Sequence, residues 1–173
     1  MKSQAINKKT VKIINTMRIG LGYDIHAFEE GRKMVLGGVT IEHDKGLKGH
    51  SDGDVLLHAV TDAILGALGA GDIGMRFPDT DPAFKGADSK ELLKEVVTDM
   101  HSGGYSVVNL DCVVVAEEPK ISPLKEEIVS TISSILEVGK DKVNVKGKTS
   151  EKLGPVGEGK AIEAQAVVLL DTE

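Results

Sequence analysis

Apolar and polar residues first alternate singly along this chain. In IGLGYDIH, Ile19, Leu21, Tyr23 and Ile25 fall on one side, and Gly20, Gly22, Asp24 and His26 on the other. Period two marks a strand with one apolar face, and the glycines open its other face to close approach. MVLGGVTI reads as two short strand pieces turning at Gly37-Gly38. The period then lengthens. VLLHAVTDAILGAL carries apolar residues at helical spacing, with Ser51 or Asp52 as the expected cap. DSKELLKEVVTDMHSGG predicts a second helix. Asp88 and Glu91 stand at capping-box spacing, Leu92 to Met100 form the apolar stripe, and Gly103-Gly104 stops it. His101 suits the dipole at its end. The valine-rich YSVVNLDCVVVAEE is a strand. ISPLKEEIVSTISSILEVG is a third helix, with Ser122 as cap, Pro123 at the first position and Gly139 past the end. DKVNVKG and AIEAQAVVLL read as closing strands. This order predicts an α/β (α+β sandwich) domain, a mixed sheet with helices packed on one face.

Between these elements lie loops. EEGRK is polar. EHDKGLKG delivers the chain to His50, and His43 within it is expected to be solvated. GAGDIGMRFPDTDPAFKGAD is long, aperiodic and rich in Gly, Asp and Pro. Loops of that length in compact domains are usually functional or disordered. Asp72, Asp79 and Asp81 suit polyol hydroxyls; Pro78-Asp79 and Asp81-Pro82 also fit plain turn chemistry.

Composition narrows the class. The 173 residues are 40% hydrophobic but only 3% aromatic, so the core must be aliphatic. The length suits one domain, expected over residues 17–173. A net charge of −6 argues against nucleic-acid or anionic-membrane surfaces, and no apolar run is long enough to span a bilayer. The single cysteine, Cys112, forms no internal disulfide and fits a reducing compartment such as the cytoplasm. Residues 1–16 carry four lysines and no acid; they are expected to be a disordered or added extension, an organelle address such as a plastid signal being the alternative.

Chemistry concentrates in HSDGDVLLH, residues 50–58. Asp24 and His26 share one face of the first strand, and His58 lies in the first turns of the following helix. One carboxylate and two imidazoles suit Zn²⁺ with a fourth position open. Asp54 and Asp62, four residues either side of His58, are candidates to orient its ring. Lys120, between a strand end and a helix, is placed for a nucleotide or simply solvated. Thr149, Ser150 and Glu151 offer two hydroxyls and a carboxylate, suited to phosphate oxygens and Mg²⁺.

GYDIHAF, HSDGDVLLHAVTDAILGALGAGDIG, FPDTDPAFKGADSKELL and NVKGKTSEKLG together resemble the 2-C-methyl-D-erythritol 2,4-cyclodiphosphate synthases of non-mevalonate isoprenoid biosynthesis. The resemblance runs from Met17 to about Asp171. It implies a homotrimer around a central channel, with active sites between subunits. It implies ring closure of 4-diphosphocytidyl-2-C-methyl-D-erythritol 2-phosphate with release of CMP. Asp24, His26 and His58 would bind zinc, and Glu151 a second divalent ion, Mg²⁺ or Mn²⁺. His50 and Thr149 would stabilise the transition state, and Ile25, Ser51 and Ser150 would touch substrate. Asp72, Ile73 and Gly74, with Phe77, Pro78, Asp79, Thr80 and Asp81, would cover the methylerythritol end. Ala116, Pro119, Lys120 and Ile121 would form part of a cytidine pocket given by the neighbour. A zinc phosphohydrolase and a non-catalytic metal-bound trimer are the competing classes. The chain departs from the pattern in three places. Gly147-Lys148 precede Thr149, Glu117 and Glu118 flank the cytidine region, and Pro155 and Glu158 stand where many members carry an aromatic and an arginine that binds isoprenoid diphosphates in the channel. With a carboxylate at 158, such binding is not expected.

Overall fold

The alternation at Ile19 becomes β1, Arg18–Glu30, in a computed structural model that describes residues 17–172. The predicted extension over 1–16 lies outside the described residues. Gly20 and Gly22 are covered by helix α1, Val55–Leu68. A Cβ at Gly20 would lie 1.8 Å from the Ala63 carbonyl oxygen, and one at Gly22 would lie 1.8 Å from that of Ala59. Strand backbone therefore rests on helix backbone, with no side chain between. The apolar side, in contrast, is open: Ile19 is 72% and Leu21 67% exposed.

Five strands form the main sheet, in the order β4 (Lys45–Leu47), β1, β7 (Ala161–Thr172), β5 (Tyr105–Val115) and β6 (Val143–Lys148). All neighbours are antiparallel except β5 and β6. The sheet is thus mixed, as the element order predicts. One face is buried: Ile162, Ala164, Ala166, Val168 and Leu170 of β7, with Val107, Leu110, Cys112 and Val114 of β5. Against it lie α1, α3 (Ser89–Ser102) and α4 (Lys125–Ile135). The hairpin of β2 (Met34–Leu36) and β3 (Val39–Ile41) turns at Gly37-Gly38 as expected.

Four local expectations are corrected. Asp54, not Ser51 or Asp52, caps α1, because its buried carboxylate accepts from the Leu56 and Leu57 amides and also from those of Gly37 and Gly38. One side chain thereby satisfies the helix start and the hairpin turn together. EHDKGLKG is not wholly loop: β4 extends the sheet at the end of β1. Ser122 caps nothing; Ser122–Leu124 is a 3-10 turn, and α4 follows it and ends at Ile135, before Glu137 turns left-handed. The long segment after α1 contains α2 (Ile73–Arg76) and a 3-10 turn at Pro82–Phe84. Among the described residues no helix is long and apolar enough to cross a membrane.

Candidate metal centre and pocket

The pleat of β1 aims Asp24 and His26 at the start of α1, where His58 waits. Asp24 Oδ2 lies 2.8 Å from His26 Nε2 and 2.9 Å from His58 Nδ1, and the two nitrogens are 3.1 Å apart. The three donors form a group that can hold a metal ion. Two ring nitrogens and an acid oxygen this close, with lone pairs converging, are the donor set of a transition-metal site. The other edges are held. Asp24 Oδ1 accepts from the Ile25 amide at 2.8 Å, and His26 Nδ1 bonds the Lys48 carbonyl. That carbonyl can only accept, so it places the His26 proton on Nδ1 and leaves Nε2 free for the metal.

Burial opposes ionisation of Asp24, but the hydrogen bonds and charges of His26 and His58 outweigh it and hold the carboxyl well below the usual range. His26 is moved oppositely. Burial alone would lower its pKa; Asp24 and the Lys48 carbonyl raise it.

Neither acid expected to orient His58 does so. Asp54 is occupied as the cap, and Asp62 Oδ1 accepts from the Ile73 amide at 2.7 Å, fixing the turn into α2. His58 Nε2 instead meets Ser51 Oγ at 2.9 Å and Ser89 Oγ at 3.0 Å. Arg32 is a second unforeseen contributor. Its guanidinium donates to the carbonyls of Gly49 and Ser51, on either side of His50. Arg32 stands in a plain polar loop, and Ser89, though within FPDTDPAFKGADSKELL, sits just inside a helix where a serine gives no hint of a contact to His58.

Beside the triad opens a cavity of about 440 Å³. Asp24, His26, His50, Ser51, Ile73, Gly74, Phe77, Pro78 and Asp79, all candidate site residues, line it, joined by His58, Phe84 and Leu92. Phe77 and Phe84 meet edge to face, and Arg76 lies over the Phe77 ring while pairing with Asp99 and Glu95 of α3. Asp72 and Asp81 do not line the cavity; their carboxylates accept from the Met75 and Ala83 amides, the turn chemistry that the sequence also fits. Thr80 is exposed outside it, and Ile25 points to the open face of the sheet.

The remaining predicted residues gather elsewhere, around the ends of β5 and β6, and none lines this cavity. Thr149 Oγ1 donates to Glu151 Oε1 at 2.6 Å, with Glu151 in left-handed backbone. Ser150 donates its amide to Glu117, which also pairs with Lys152. Ala116 and Ile121 are buried. Gly147 has a packing reason, since a Cβ there would come 2.7 Å from that of Ile121. Lys120 lines a separate groove with Phe28, Glu117 and Glu158. His43 also lines it; half-buried and stacked on Phe28, it is not the solvated residue expected. Pro155 opens the short helix α5 (Gly154–Gly157), and Glu158 pairs with Lys160.

The first strand and first long helix of a five-strand mixed sheet thus carry an Asp-His-His group beside a pocket. The YgbB family model matches residues 17–171, and the chain belongs to that family. It is 58% identical over 153 residues to the 2-C-methyl-D-erythritol 2,4-cyclodiphosphate synthase of Geobacillus kaustophilus, covering 88% of this chain and 97% of the relative. To the synthase of Ralstonia pickettii it is 55% identical over 154 residues, covering 89% and 92%. Among solved structures, the Plasmodium falciparum IspF CDP complex superposes with a TM-score of 0.81 at 41% identity, covering 92% of this chain and 98% of the other.

Proposed function

We propose that the protein catalyses the reaction its relatives are named for. 4-Diphosphocytidyl-2-C-methyl-D-erythritol 2-phosphate closes to the 2,4-cyclodiphosphate and releases CMP, a step of non-mevalonate isoprenoid synthesis. The observation that carries this is the convergence of Asp24, His26 and His58 at the mouth of a pocket, in a chain more than half identical to such synthases.

The nucleophile is already a phosphate anion, so no strong base is needed. The protein must bring two anions together in line. Asp24, His26 and His58 would hold zinc, which when bound supplies positive charge to a phosphate oxygen. Glu151 would hold a second cation, Mg²⁺ or Mn²⁺. His50, exposed at the pocket rim on a loop whose flanking carbonyls are held by Arg32, would donate to the phosphate under attack. Ile73, Gly74, Phe77 and Pro78 close on the methylerythritol end and exclude water that would otherwise hydrolyse the diphosphate. Ring closure is intramolecular, so this orientation carries much of the rate.

Thr149, Glu151 and Lys120 stand apart from that cavity, and Ile19, Leu21, Tyr23 and Ile25 present an uncovered apolar face. Both features support a homotrimer in which a neighbour supplies the cytidine and second-cation half of each site. A cytoplasmic compartment belongs to the same proposal, supported by the single cysteine, Cys112.

The test is incubation with the cytidylated substrate, Zn²⁺ and Mg²⁺, followed by ³¹P NMR. CMP and a cyclic diphosphate are expected, and both should vanish in His58→Ala. Inorganic phosphate as the product would mark a zinc phosphohydrolase, and no turnover a binding protein.

A further inference from the structure

The imidazole of His58 can offer Nδ1 to a metal only if its proton sits on Nε2. The adjacent Ser51 leaves that choice open. Its Oγ already accepts from the Gly53 amide at 3.2 Å, and its hydroxyl proton is free to point at Nε2. A proton donated there would place the imidazole proton on Nδ1, facing Asp24, and block the metal position.

Ser89 has no such freedom. Its Oγ donates to Asp52 Oδ1 at 2.5 Å, while its amide donates to Asp52 Oδ2 at 3.1 Å. Asp52 Oδ1 also accepts from the Asp54 amide at 3.2 Å. A hydroxyl has one proton, and that of Ser89 is committed to the carboxylate. Toward His58 Nε2, 3.0 Å away, Ser89 can therefore only accept. It is 1% exposed, so no bulk water competes for the contact.

We propose that Asp52 and Ser89 are positioning residues that fix the tautomer of His58, turning its Nδ1 lone pair to the metal. This rests on the metal-centre reading above and adds to it two residues that touch neither metal nor substrate. The proton order runs Nε2–H to Ser89 Oγ, and Ser89 O–H to Asp52. Asp52→Asn weakens that order with little change of shape. Both carboxylate oxygens accept backbone amides, so the NH2 of an asparagine must face one of them. Turned to Ser89 Oγ it donates, the Ser89 proton swings to Nε2 and the lone pair at Nδ1 is lost; turned the other way it leaves Ser89 a neutral, weaker acceptor.

Zinc ion is titrated into the full chain against a chromophoric chelator, and the melting temperature of each zinc-free form is recorded alongside. Ser89→Ala and Asp52→Asn should each weaken zinc binding by about tenfold or more, with zinc-free melting close to wild type. Ser89→Thr, which keeps the hydroxyl, should restore most of the affinity. Zinc bound by both Ser89→Ala and Asp52→Asn as tightly as by wild type overturns the inference. So does a loss of affinity matched in both by collapse of the zinc-free fold, which would make the pair structural only. If wild type itself fails to bind zinc, the metal-centre reading falls instead.

Discussion

Asp24 and Cys112 both titrate, and the fold drives them apart. Asp24 is kept ionised because two imidazoles outweigh its burial. Cys112, on the covered face of β5, has no such partner, and burial pushes its thiol up to about 12. It therefore presents no thiolate at neutral or mildly alkaline pH. Iodoacetamide should leave the native protein unlabelled under conditions that label it fully in concentrated guanidinium; rapid native labelling, read by mass spectrometry, would contradict this. At this scale the sequence shows the group of Asp24, His26 and His58 that could hold a metal ion, because Asp24 and His26 share a pleat and His58 follows a loop dense in ligand-type side chains. It does not show Ser89 or Arg32. Each acts through a contact between residues distant in the chain, and neither residue type is unusual where it stands.

The pairing of β1 with α1 belongs to the next scale up. Alternation reveals two faces of a strand, but not which one the fold covers. Here the bare glycine side is inside, since only it lets the α1 backbone approach. Gly22→Ala would drive a methyl group into the Ala59 carbonyl, and either strand or helix must move. A loss of about 3 kcal/mol or more is expected, measured by denaturant unfolding; a loss near zero would mean that α1 shifts freely along the strand. Asp54 carries a related lesson. An aspartate two residues beyond the expected cap won that role because it also serves the hairpin amides, a tertiary demand that local spacing cannot display.

For the whole molecule, the order of strands and helices sufficed to predict the mixed sheet, since each long element has a clean period. Periodicity says nothing of assembly; the homotrimer proposed above rests on the open face of β1 and the separation of Thr149 and Glu151 from the cavity. If each site joins two subunits, His58→Ala and Glu151→Ala damage opposite halves. Refolding the two inactive variants together in equal amounts should return about a quarter of wild-type activity, the chance that intact halves meet around a closed ring. Absence of any recovery would mean that each chain completes its own site.

The Lys48 carbonyl behind His26 is peptide backbone, so no point mutation can delete it. The ring at 58, by contrast, leans on hydroxyls that a single codon change can erase. Drift or engineering that alters how this group would hold an ion has its accessible handle there, while the imidazole on the strand stays locked by the polypeptide itself.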